Sequence, residues 1–581
     1  MRFCLLLWLV PLIAGADLRP LYLDGFGDDW LDNPDTASDP AGDGGGIDLL
    51  ELGIVNDSRQ LMLTIALGQE ILQQQDNGLV LYLDTDSDSQ TGFPAEGLGC
   101  ELVWNFASRT GTVYNQGQSQ TVGFAQLGLR ILPSHASDRF EFAMALDATP
   151  LGQPLFGDSV VHAVLRDTAP GGDRLPDSGS LELPLAGGSI PDPELISLER
   201  ERPQDLRLLA WNTLFGSLFT PANQGAYARI LGALSADVIA FQEIWDQDAA
   251  TTAATLDQLD PRDTPWQAAK LTSGNVLASR FPITASWLVN PDYRNTAHLL
   301  QTADALGTPL LVINIHLRCC SANAQRQEEA DSIIAFLRHV QQGDYPQIAA
   351  NTPVVLCGDF NLVGDHQQLL TLLNGEIQDT AQYGPANPPD WDGSPLTDLR
   401  SYQLGRRDAW TWYDEGGAAP YSPGRLDYIL YTDSVLETGH HGLLWTPVIP
   451  ADSLSAWGLQ ALDTPTASDH IPRFVDLRPP TQTGLGEPGP ATRPSGLALG
   501  HSTPNPFNPS TIVQWSQQRG QHIRLDAWSL DGRLVASLLE GFSPSGEHSL
   551  TFDGSQLASG CYLLSLRGED ALDVGRVLLV K

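Results

Sequence analysis

Between residues 205 and 480 the chain repeats one pattern, a short apolar run that ends in a polar side chain. "LRLLAWN" ends at Asn212, "ADVIAFQE" at Glu243, "LLVINIH" at His316, and "VVLCGDFN" at Asp359 and Asn361. "GRLDYILY" carries Asp427, and "ASDHIPRFVDL" opens with Asp469 and His470. Runs that are apolar on successive rather than alternate residues suit strands covered on both faces. Helical patterns lie between them; from Asn323 to Val340 the apolar positions 333, 334, 336, 337 and 340 share one face. A single His or Asp at a strand end is usually a hydrogen bonder or a cap. Six strand ends carrying hydrolase-type side chains predict convergence at one sheet edge.

The segments on either side read differently. Residues 17–190 hold short alternating runs such as "LMLTIAL", "GLVLYLD", "CELVWNF" and "RFEFAMAL", separated by turn residues, which predicts an all-β sandwich. Residues 500–581 also read as all-β, and a Pro/Gly/Thr-rich linker at 481–499 precedes them. The first 16 residues have the charge, apolar core and Ala14-Gly15-Ala16 end of a secretory signal. That stretch is shorter than the roughly 20 residues a spanning helix needs, and no transmembrane segment is expected elsewhere. In the loop "LYLDTDSDSQTG", Asp84, Asp86 and Asp88 stand at alternate positions and could wrap Ca²⁺, although the EF-hand pattern is missing at Ser89 and Ala95.

Charge narrows the function classes. The net charge is −38, and no basic stripe marks a nonspecific nucleic-acid binder. A divalent ion could still supply local positive charge to a site that turns over nucleic acid. Beyond Cys4 the chain has five cysteines, an odd number, and no Cys/His metal spacing. Cys319-Cys320 could form a vicinal or longer disulfide in an oxidising compartment.

The ordered motifs "WN", "FQE", "NIHLR", "GDFN", "LDYI" and "SDH" resemble those of the endonuclease/exonuclease/phosphatase superfamily over residues 205–480. The resemblance implies a central four-layered α/β sandwich, two mixed β-sheets with outer helices, in a multidomain chain flanked by all-β sandwich domains. It also implies Mg²⁺- or Mn²⁺-dependent cleavage of phosphoester bonds. Glu243 would then be the direct metal ligand, with Asn212 and Asp469 completing or orienting its shell. Asp359 would orient and deprotonate water, Asn361 would hold water or phosphate, and His316 would donate to phosphate or leaving group. Asp427 would polarise His470, and either Asp359 or His470 could be the base. Arg326, a short loop after "HLR", is a candidate phosphate contact. Leu214 stands where many nuclease members carry a second acid, which weakens the case for a second metal.

The flanks carry looser likenesses. "YLDGFGDDW" and "DRFEFAMAL" resemble DOMON-like or carbohydrate-binding sandwiches, implying attachment to a polysaccharide or cell surface. "PNPFNPST" and the terminal "VLLVK" resemble a type IX sorting or FlgD-like Ig domain, implying contact with secretion machinery. The leading expectation is a secreted nuclease or broader phosphodiesterase acting on nucleic acid or another phosphoester. Alternatives are a sphingomyelinase-like or small-phosphoester hydrolase, with "DAWTWYDEGG" at 408–417 as a possible lipid-docking hairpin, and an inactive adhesion protein.

Overall fold

The computed structural model describes residues 21–581, except 31–35, 116, 158–159, 186–192, 414–420, 481–496, 500–506, 518–520, 530–532, 545, 556, 559, 569–571 and 580. The secretory-signal reading of residues 1–16 therefore lies outside the described residues. The chain divides into two compact units, Met1–Thr481 and Gln482–Lys581. Among the described residues no helix is long and apolar enough to cross a membrane.

At the start of the first unit, the strands Thr36–Ser38, Leu49–Asn56, Gln60–Ile71, Ser137–Ala145 and Arg130–Leu132 lie in that order in one antiparallel sheet. A second sheet has the order Arg174–Leu175, Val160–Asp167, Leu79–Asp84, Leu102–Asn105, Thr110–Asn115 and Gln118–Val122. Their inward alternate residues, Leu63, Ile65, Phe140 and Phe142 from one and Leu81, Leu83, Trp104 and Leu165 from the other, share one buried cluster. The alternation read from the sequence thus becomes a two-sheet core.

Residues 205–480 form two six-stranded mixed sheets. The first has the order Gln267–Ala269, Gly274–Ser279, Val238–Ile244, Leu206–Asn212, Arg473–Arg478 and Glu437–Leu443. The second has the order Ile283–Leu288, Thr296–Leu300, Leu310–His316, Val354–Asp359, Asp427–Tyr431 and Thr397–Asp398. One buried cluster joins Leu208, Ala210 and Val238 of the first sheet to Val312, Val355 and Ile429 of the second. The residues between these along the strands point the other way. Trp211, Ile239 and Phe241 pack on Tyr227, Ile230 and Leu231 of the helix Gln224–Leu234. Ile313, Ile315 and Leu356 pack on Ile333, Ile334 and Leu337 of the helix Asn323–Gln341. Coverage of both faces is the physical reason for the unbroken apolar runs.

In the second unit, Leu497–Leu499, Ser510–Gln517 and Gly546–Asp553 form one sheet and Leu534–Ser543, Gln521–Ser529, Gly560–Arg567 and Leu572–Leu579 another. Val513, Trp515 and Phe552 of the first share a buried cluster with Leu525, Leu564 and Val577 of the second.

Candidate active site

Strand register builds the site. Leu310–His316 runs parallel to Val354–Asp359, with His316 opposite Asp359. Asp427–Tyr431 runs antiparallel on the other side, with Asp427 opposite Asp359. Three chemically active side chains therefore stand in one row across three strands. Packing makes the row possible at Gly358, whose φ is +133° and where a Cβ would lie 2.1 Å from the Ile315 carbonyl oxygen. In the facing sheet Asn212 pairs with Gln242, next to Glu243. Beneath the row, Gln242 Nε2 donates to Asn314 Oδ1 at 2.8 Å, and Asn275 Nδ2 donates to the Asn314 carbonyl at 2.9 Å. This polar pad, fully buried, replaces the apolar filling between the sheets and ties their ends together.

Asp359 Oδ2 is the hub. It accepts from Asn212 Nδ2 at 3.0 Å and from Asn361 Nδ2 at 3.1 Å. His316 Nε2 stands 3.6 Å from it and His470 Nε2 3.8 Å. His470 Nδ1 lies 2.8 Å from Asp427 Oδ2. Burial drives the Asp359 carboxyl up to about 7, with Asp427 reinforcing the shift against the pull of His470 and Asn212. Burial opposes charge on His470, but Asp427, Asp359 and Asp469 outweigh it and lift the imidazole to about 10. Burial, with Arg294 and His470 nearby, holds His316 well below its ordinary value, so it stays neutral. Two histidines about one carboxylate are thus held in opposite protonation states.

Asn212 Nδ2 also reaches Glu243 Oε1 at 3.2 Å, and the backbone N–H of Phe215 donates to Glu243 Oε2 at 2.8 Å. Asp469 accepts from the indole N–H of Trp412 at 3.0 Å. Its carboxyl is raised, chiefly by burial and also by the charge of Glu243, which places the two acids within electrostatic reach. Leu214, Phe215, Glu243 and Asn361 all have positive φ, at 44°, 54°, 64° and 49°. Each such residue costs on the order of 1–3 kcal/mol, and four around one cluster mark a site where backbone strain is held by the surroundings.

Register and hydrogen bonds bring together seven of the residues named from the strand ends, and Asp469, next to His470, lies within electrostatic reach of His470 and Glu243. Arg326 is separate from them. It is fully buried, with Nε on Gln368 Oε1 at 2.9 Å, Nη1 on the Arg318 and Cys320 carbonyls, and Nη2 on Asn323. This is a correction to its expected phosphate contact, because its donors are committed to pinning the loop before its helix.

Ligand atoms of Asp84 and Asp86 lie within 4.8 Å of one another and of Glu101, a residue not anticipated. Asp88 is outside that group and accepts from the N–H of Gln90 at 3.0 Å. Cys319 and Cys320 are free thiols, as are Cys100 and Cys357, so the expected disulfide is absent among the described cysteines. Trp410, within the suggested lipid hairpin, is buried at 6% exposure, and Trp412 turns inward to Asp469; residues 414–420 lie outside the described residues.

Arg294 was missed. Its guanidinium lies 5.3 Å over the Trp245 ring and donates to the Leu317 carbonyl at 3.2 Å, within electrostatic reach of Asp359 and Glu243. A signal was present, since Arg294 leads into Thr296–Leu300, and the start of that antiparallel strand lies beside the exit of Leu310–His316.

A buried carboxylate hub flanked by two histidines thus stands at the ends of two facing mixed sheets, an arrangement suited to acid–base chemistry on a bound substrate. Residues 209–470 match the Endonuclease/Exonuclease/phosphatase family, somewhat less than half of the chain, and the match supports a middle domain of that superfamily. A solved structure of ANGEL2, described as a 2',3'-cyclic phosphatase, aligns at 16% identity over 50% of this chain and 99% of its own, with a TM-score of 0.32. The same protein with adenosine-2',3'-vanadate aligns at 14% identity over 48% and 97%, with a TM-score of 0.31. Dimeric latent PorU from Porphyromonas gingivalis aligns at 8% identity over 92% of this chain and 32% of its own, with a TM-score of 0.14. No curated protein matches the chain.

Proposed function

We propose that the protein is a secreted, divalent-metal-dependent phosphodiesterase that hydrolyses nucleic acid. The observation that carries this reading is the convergence of Asn212, His316, Asn361 and His470 on Asp359 Oδ2, inside the span that matches the family. The paired clusters on the two faces of each sheet support the four-layered sandwich of that superfamily.

The residues fit a hard divalent cation. Asp359, Asp427 and His470 offer ligand atoms within 4.8 Å of one another, and Asp427 Oδ1 is buried with no hydrogen-bond partner. A protonated His470 competes with a cation there, so Glu243 and Asp469, with the Asn212 amide beside them, are the better holders. A bound Mg²⁺ or Mn²⁺ would neutralise charge that develops on the phosphoryl oxygens.

The chain's own groups divide the remaining work. Asp359 accepts the proton of the attacking water, and the Asn212 and Asn361 amides hold its carboxylate in place. The His470 imidazolium, oriented through Nδ1 by Asp427, presents Nε2–H to the developing negative charge. Neutral His316 donates a hydrogen bond to a phosphate oxygen without bringing a second proton to the site. The two tryptophans turned inward weigh against a lipid-docking hairpin.

The test is nicking of supercoiled DNA by the purified protein with Mn²⁺ or Mg²⁺, with EDTA, and with Asp359→Ala. Metal-dependent nicking lost in the variant is expected. Sphingomyelin or inositol-phosphate cleavage without nicking would overturn the nucleic-acid substrate, and no hydrolysis of any of them would overturn the enzyme reading.

A further inference from the structure

The N-terminal sandwich touches the loops that carry the site. Its segment 133–136, between the strands Arg130–Leu132 and Ser137–Ala145, sits between two of them. The Ser134 hydroxyl donates to the Leu362 carbonyl at 2.8 Å, with the Arg425 carbonyl at 3.2 Å as a second acceptor. Leu362 follows Asn361, and Arg425 stands two residues before Asp427. The N–H of Ala136 donates to the Gly364 carbonyl at 2.7 Å. The imidazole of His135 stacks on that of His366, centroids 4.6 Å apart and planes 7° from parallel.

The same segment reaches the loop behind Asp469. A Cβ on Gly424 would lie 3.3 Å from Ser134 Cβ, so these backbones approach closely. Gly424 exchanges two 3.0 Å backbone hydrogen bonds with Trp412, whose indole holds Asp469. Thr411 Oγ1 accepts the N–H groups of both Leu426 and Asp427 at 3.0 Å. Around this segment, Ile131 N–H donates to Ser422 Oγ at 2.8 Å, Arg130 pairs with Asp408 at 3.3 Å, and Leu23 exchanges backbone bonds with Arg407 and Ala409.

We propose that segment 133–136 is a positioning element of the active site, a wedge that fixes the spacing between the Asp359–Asn361 loop and the loop leading into Asp427. The proposal rests on the phosphodiesterase reading for its kinetic consequence. A loose attachment module would touch the catalytic domain through a linker. Here one serine hydroxyl stands between the carbonyls of both catalytic loops, and the segment that carries it joins two paired strands of one antiparallel sheet. Displacement of reacting groups by about 1 Å can cost on the order of 100-fold in rate, so the wedge acts on turnover.

The experiment uses the full mature chain with bis-p-nitrophenyl phosphate and Mn²⁺, and compares wild type, Ser134→Ala, Ser422→Ala and Glu182→Gln. Glu182 is an exposed residue on the same sandwich, 66% exposed at its side chain, and serves as control. Amide exchange of residues 360–366 and 421–426 is read alongside. Loss of roughly tenfold in kcat, with KM within about twofold, is expected for both serine variants and not for Glu182→Gln. Both segments should exchange faster in those variants. Unchanged kcat overturns the proposal, and so does a fall in kcat without faster exchange in either segment. Should Ser134→Ala fail to fold, Ser422→Ala decides. If wild type hydrolyses neither DNA nor this probe, the phosphodiesterase reading fails separately, and exchange alone decides whether the segment holds the loops.

Discussion

His470 Nδ1 lies 2.8 Å from Asp427 Oδ2, and both residues are buried, at 6% and 1% exposure. The imidazole therefore holds its charge far above neutrality. Its value rises from the ordinary 6.5 to about 10, because Asp427, Asp359 and Asp469 together outweigh burial. A raised histidine stabilises the fold fully below its ordinary value, and that contribution is lost as pH rises through about 10.

The pH profile should show both partners. Asp359, pushed to about 7 by burial, must lose its proton to act as base, and His470, at about 10, must keep its own. We expect kcat/KM to rise through the first value and fall through the second, with the two limbs belonging to the coupled set rather than to single residues. Asp427→Asn should bring the alkaline limb down toward neutrality. An alkaline limb unmoved in that variant would show that His470 is not the group titrating.

Asp359→Asn should lower kcat by about 10²–10⁴-fold, the range for loss of a positioned base. Its stability should move the other way. A carboxyl raised from 3.8 to about 7 favours the folded state most at low pH, and that advantage declines as pH climbs between those values. The neutral amide escapes this decline, so Tm of the variant at pH 8 should equal or exceed that of wild type, with its advantage smaller near pH 4. Thermal unfolding at both pH values reads the difference.

Removal of metal should abolish hydrolysis, and titration with Mn²⁺ should restore it. Glu243→Gln keeps the acceptor for the Phe215 N–H but loses the charge. The Mn²⁺ concentration for half-maximal activity should rise by at least about tenfold, the scale seen when ligand-orienting groups are lost. Equal Mn²⁺ dependence in wild type and variant would place the metal elsewhere.

Gly358→Ala should fail structurally. The added Cβ would meet the Ile315 carbonyl oxygen at 2.1 Å and Gln242 Nε2 at 2.8 Å, on backbone of positive φ. Overpacking of about 1–3 kcal/mol adds to strain of similar size. A chemical-denaturation midpoint within experimental error of wild type would contradict the close approach that brings His316, Asp359 and Asp427 into one row.

Much of the site is legible in the sequence because its residues occupy strand ends. Asn212, Glu243, His316, Asp359 and Asp427 each end or open a short apolar run that suits a covered strand, and exits of neighbouring parallel strands meet at one edge. Arg294 is harder to see, because it precedes its strand, and only antiparallel pairing with Leu310–His316 carries it to the same edge. Arg326 misleads because spacing after "HLR" reports distance along the chain and says nothing of direction; its helix turns it into the protein.

What the sequence alone determined is the pattern of buried strands and the identity of the groups at their ends, since hydrophobic periodicity and residue chemistry are local properties. The tertiary structure decided the rest. Register placed His316, Asp359 and Asp427 side by side, burial and neighbouring charges held one histidine neutral and the other charged, and contacts such as Ser134 with Leu362, 228 residues apart, joined the sandwich to the loop after Asp359. Such relations depend on which distant surfaces exclude water from one another, and that is settled only when the whole chain has packed.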